Sequence, residues 1–96
     1  MFSLFEAFKS IKNEKEFNNF LMDLCTPNEI KDLNDRFLVA QLLQDGKMSQ
    51  REIAQNVKCS ITTVTRVARF LNQEKYGGYK SILNNLKFIN NNVHHR

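Results

Sequence analysis

The chain has 96 residues, 42% hydrophobic and 25% charged, with one proline, three glycines and no tryptophan, which suits one helical domain. Its net charge of +4 is uneven: residues 47–96 carry nine Lys or Arg against two acidic residues while residues 1–46 are net acidic, so a polyanionic partner is indicated. No signal-peptide pattern and no run of about 18 apolar residues occurs, so a reducing cytoplasm rather than a membrane is expected.

From the N-terminus, Phe2, Phe5, Phe8 and Ile11, then Phe17, Phe20, Leu21 and Leu24, recur in threes and fours. That spacing predicts two amphipathic helices within residues 1–25, with a polar break near Lys12 to Lys15. Cys25 reads as a small buried apolar residue and Cys59 as a turn residue. Neither has a CxxC partner or a nearby histidine, so no metal site is expected.

In "TPNE", Thr26 caps a helix, Pro27 takes its first position and Glu29 closes a capping box. The core helix that follows fills residues 26–46 and stops at Gly46 in a left-handed conformation. Its "FLVAQLL" segment, residues 37–43, is apolar almost all round and predicts burial on most sides. A chain this short has little surface to cover it. The phenylalanine-rich helices of a second copy are therefore expected to help, making residues 1–25 a dimerisation segment.

Residues 49–72 form the most informative stretch. Ser49 and Glu52 make a second capping box, and Ile53, Ala54 and Val57 line the inner side of the helix it opens. Lys58, Cys59 and Ser60 form a short turn, and Ser60 caps a further helix whose inner side carries Val64, Val67, Ala68 and Leu71. Two helices crossing over so short a turn need a small side chain where they approach, and Ala54 is placed for it. Lys58 stands where a left-handed residue is required, at a cost of about 1 kcal/mol relative to glycine.

With that inner side fixed, Ser60, Thr62, Thr63, Thr65, Arg66 and Arg69 face outward or flank the surface, and Gln50 and Arg51 open the preceding helix. Hydroxyls near a helix N-terminus can bond phosphates and base edges, threonine methyls can touch thymine methyls, and arginines bind phosphates or guanine edges. These eight residues are the candidate DNA-binding set of a helix-turn-helix. Beyond the break at Gly77 and Gly78, Tyr79, Ile82, Leu83 and Leu86 predict a last helix over residues 79–90, with Lys80 and Lys87 as further basic groups. Residues 91–96, with His94 and His95, read as a polar tail.

"TPNEIKDLNDRFLVAQLLQDGK", "MSQREIAQNVKCSITTVTRV" and "RFLNQEKYGGYKSIL" together resemble the Trp repressor superfamily, and most of all its Trp-repressor-related branch. The resemblance covers residues 24–83. It implies an all-α fold of about six helices, an intertwined homodimer, and helix-turn-helix units meeting successive major grooves about 34 Å apart. It also implies a corepressor site, in which Arg36 and Arg66 match the arginines that hold an indole ring and backbone carbonyls near Leu24 and Thr26 hold the amino group. Val67 and Phe70 stand at that site where tryptophan-binding members carry small residues. They fill the small-ligand pocket formed with Arg36 and Arg66, and no tryptophan corepressor or other cofactor is expected.

The function expected is that of a sequence-specific DNA-binding regulator, a repressor acting by occlusion. The alternative is a helical protein-interaction module without DNA binding. No paired carboxylates, Ser/His/Asp set, metal ligands or phosphate loop indicate an enzyme.

Overall fold

The computed structural model describes residues 1–94; residues 95 and 96 of the expected tail lie outside the described residues. Six helices follow in order: α1 Leu4–Lys9, α2 Glu14–Leu24, α3 Pro27–Asp45, α4 Gln50–Val57, α5 Ile61–Asn72 and α6 Gly78–His94. No strand occurs among the described residues, so the all-α expectation holds. The chain divides into two compact units, Met1–Leu33 and the remainder from Asn34 onward.

In the first unit, local polar contacts fix the helix starts. Ser3 and Glu6 form a capping box, with the Ser3 hydroxyl accepting from the Glu6 N–H at 3.1 Å. Asn13 caps α2 by accepting from the Glu16 N–H at 2.8 Å, and the Glu16 carboxylate accepts from the Lys12 N–H at 3.1 Å. These caps occupy the polar break expected between the two helices. Phe8 joins them, its ring 5.7 Å from Phe20 in an edge-on arrangement and 6.5 Å from Phe17. No residue of α1 or α2 is fully buried, Cys25 is half-buried, and Phe2 and Phe5 stay 88% and 69% exposed. The unit therefore presents apolar surface that a second molecule can cover.

The Thr26 cap of α3 forms as the sequence indicates. The Glu29 carboxylate accepts from the Thr26 N–H at 2.8 Å and the Thr26 hydroxyl accepts from the Glu29 N–H at 3.2 Å. The backbone hydrogen bond, followed by the one from the hydroxyl, lowers the Glu29 pKa from its ordinary value.

In the second unit, the core consists of Val39 and Ala40 from α3, Ile53 from α4, and Val64 and Val67 from α5, with Leu71 also buried. Leu42, Leu43, Met48, Ala54, Val57, Cys59 and Tyr79 pack around them. Of "FLVAQLL", only Val39 and Ala40 are fully enclosed within the chain, and Leu38 remains exposed. Gly46 ends α3 at φ 74°, its N–H donating to the Leu42 carbonyl at 3.2 Å. Gly77, at φ 66°, precedes α6. That helix begins one residue before the expected Tyr79 and continues as backbone to His94, through positions 91–94 where a tail was expected.

Candidate nucleic-acid interface

The helix pair α4–α5 is built on three local devices. At the start of α4, the Ser49 hydroxyl accepts from the Glu52 N–H at 3.1 Å, and the Glu52 carboxylate accepts from the Ser49 N–H at 3.0 Å. That backbone hydrogen bond, then the Ser49 hydroxyl, pulls the Glu52 pKa below its ordinary value. At the turn, Lys58 adopts φ 63° and ψ 48°, the left-handed region, and its N–H bonds the Ala54 carbonyl. Cys59 N–H reaches the same carbonyl at 3.1 Å, closing the end of α4. At the start of α5, the Ser60 hydroxyl accepts from the Thr63 N–H at 3.1 Å.

Those devices aim the two helices so that Ile53 meets Val64 and Val67 in one core. The opposite side of α5 is thereby fixed. Thr62, Thr65, Arg66 and Arg69 are exposed on it, with exposed Ser60 at its start and Gln50 and Arg51 exposed at the start of α4. α5 carries no acidic residue along its twelve positions. An anionic ligand approaching α5 from this side meets arginines and hydroxyls contributed by the helix itself.

Thr63 flanks the outer surface rather than facing outward. It is half-buried, and its hydroxyl lies 3.0 Å from that of Ser60, so both belong to the cap of α5. Thr65 donates to the Ile61 carbonyl at 3.0 Å. The Gln50 carbonyl oxygen lies at a longer 3.5 Å, and the single hydroxyl proton favours the shorter bond. The Gln50–Thr65 approach still brings the starts of the two helices together across the outer surface.

The arginines have neighbours that spacing does not disclose. Arg66 lies with its guanidinium carbon 4.7 Å from the Phe70 ring centroid and Arg69 lies 5.1 Å from it, both within cation–π range. Arg69 also pairs with Glu74, just past α5, at 3.4 Å. Glu74 was not among the expected site residues; only the fold of the segment after α5 brings it back to Arg69.

The four residues of the expected small-ligand pocket have different surroundings. Val67 is 1% exposed and belongs to the core, so it has no surface to offer a ligand. Arg36 is half-buried on α3 and Arg66 is exposed on α5. Phe70 lines an apolar cleft of about 420 Å³ with Phe37, Tyr76, Gly78, Tyr79 and Ile82.

The profile of the family described as "Trp repressor protein" matches residues 1–87. The chain is 37% identical over 86 residues to the uncharacterized protein YerC of Bacillus subtilis, covering 88% of this chain and 79% of that protein. It is 36% identical over 61 residues to the Trp operon repressor homolog of Chlamydia caviae, covering 64% of this chain and 60% of that protein. Among solved structures, a TrpR-like protein from Eubacterium eligens superposes with a TM-score of 0.80 at 37% identity, covering 88% of this chain and 84% of that one.

Proposed function

We propose, on the premise that the chain belongs to the Trp repressor family, that it is a sequence-specific DNA-binding transcriptional regulator acting as a homodimer and repressing by occlusion. One observation carries the reading. α5 is capped, anchored on its inner side, and free of acidic residues on the side that presents Thr62, Thr65, Arg66 and Arg69. A recognition helix entering a major groove needs that combination, because every acid at the surface would repel a phosphate. Arg51 at the start of α4 supplies a further contact, and Ser60 and Thr63 set the N-terminal end of α5.

Exposed apolar side chains support the dimer. Phe2 and Phe5 on the first unit, and Leu38, Leu86 and Ile89 on the second, are exposed in the single chain. A shared interface would remove them from water. Two subunits then offer two recognition helices to one face of a duplex. The enclosure of Val67 and the bulk of Phe70 favour regulation without L-tryptophan, and calorimetry should detect no heat of binding for it. A micromolar dissociation constant would overturn that part of the reading.

The test of DNA binding is anisotropy of a labelled duplex at 50 and 200 mM salt. Arg66 and Arg69 from two subunits neutralise up to four phosphates, giving a log–log slope of about −3.6 and an affinity loss of about 10²-fold over that range. A flat titration would favour a helical protein-interaction module instead.

A further inference from the structure

The Phe70 ring joins two surfaces of different character. It contributes to the apolar cleft with Phe37, Tyr76, Tyr79 and Ile82, and it is itself half-buried. Both Arg66 and Arg69 rest against the same ring, 4.7 and 5.1 Å from its centroid, and both are exposed on the candidate DNA-binding surface. Two guanidinium groups three residues apart repel each other, and each has many rotamers available in water. The face of an aromatic ring carries negative charge, so one ring seated in the fold can hold both. Glu74 restrains Arg69 further, whereas the described contact of Arg66 on this side is the ring alone.

We propose that Phe70 is a positioning residue for DNA binding: its ring pre-orders Arg66, which the Glu74 ion pair does not restrain, for contact with the duplex. The proposal rests on the DNA-binding reading above. Its physical content is entropic. Arginines already confined before the duplex arrives lose less freedom on contact, and the affinity rises accordingly.

The experiment is a double-mutant cycle read by duplex affinity at fixed salt, using Phe70→Leu, Arg66→Ala and the pair. Leucine retains apolar bulk in the cleft but has no ring face. The expected result is a loss of about tenfold for Phe70→Leu in the wild-type background, and a loss below twofold once Arg66 is alanine. Phe70→Trp, which keeps a ring, should bind within about twofold of the wild type. In the free protein, nitrogen relaxation of the Arg66 side chain should show higher mobility in Phe70→Leu than in Phe70→Trp. Should Phe70→Leu fail to fold, Phe70→Met supplies the same comparison. Equal losses with and without Arg66 would mean that Phe70 acts through packing only, and no loss in either background would also overturn the proposal. Absence of salt-dependent duplex binding by the wild type would overturn the functional reading, and this inference with it.

Discussion

Lys58 provides a test of the turn that sets the angle between α4 and α5. Its backbone lies at φ 63° and ψ 48°, where an L side chain crowds the following carbonyl at a cost of about 1–2 kcal/mol. Glycine removes that crowding but gives back about 0.5–1 kcal/mol through its greater freedom in the unfolded chain. The lysine ammonium, exposed at the C-terminal end of α4, contributes about 0.3–1 kcal/mol against the helix dipole. Lys58→Ala therefore loses the charge and keeps the crowding, and it is destabilised by about that last amount. Lys58→Gly loses the charge too but escapes the crowding, so it should exceed Lys58→Ala by about 0.5–1 kcal/mol and lie close to the wild type. Urea unfolding followed by circular dichroism, at one protein concentration because a dimer's stability depends on it, resolves a difference of this size. If the alanine variant equals or exceeds the glycine variant, the left-handed turn is not the one that joins the helices in solution.

Other expectations follow from single contacts. Ile53→Ala empties a fully enclosed position between α3 and α5 and should cost about 2–5 kcal/mol in urea unfolding; a loss below about 1 kcal/mol would contradict the core described. Glu52→Gln tests the capping box by pH. The folded carboxyl's pKa is lowered, so its contribution is full above the ordinary value of 4.5 and vanishes as pH falls through the lowered one. The variant should be less stable than the wild type at pH 7 and indistinguishable well below 4.5, whereas a pH-independent difference would assign its effect elsewhere. Phe5→Asp places a charge on the exposed apolar face of α1 and should shift sedimentation from dimer toward monomer; an unchanged dimer would place the interface elsewhere.

The turn geometry was legible because it depends on side chains close in sequence. Thr26 with Glu29, Ser49 with Glu52, and Ser60 can each reach only their own helix start, so residue type and spacing suffice. Lys58 was legible from its position, since it stands where the common helix-turn-helix pattern places a glycine in the left-handed turn. The inner face of α4 and α5 followed from period alone, and Ile53, Val64, Val67 and Leu71 are buried accordingly. The extent of α6 was not legible. A run of asparagines has weak helix propensity and reads as a tail, yet the backbone stays helical to His94.

Contacts that depend on rotamers or on chain reversal were also hidden. The pairing of Arg66 with Phe70 joins residues four apart, a spacing that permits contact without requiring it. Arg69 meets Glu74 only because the segment after α5 turns back. Thr63 shows the same limit at closer range: its place near the outer surface follows from period, but its commitment to the Ser60 cap requires the hydroxyl positions.

Selection from a random duplex pool at about 150 mM salt tests the central claim most directly, since binding by charge alone is already weak there. The account predicts enrichment of a two-fold site whose half-sites lie about 10 base pairs apart, with specific binding about 10³-fold or more above random duplex. The same selection with Arg51→Ala should lose or relax one position in each half-site. A pool that remains random, with the wild-type protein folded and dimeric, would contradict a sequence-reading regulator.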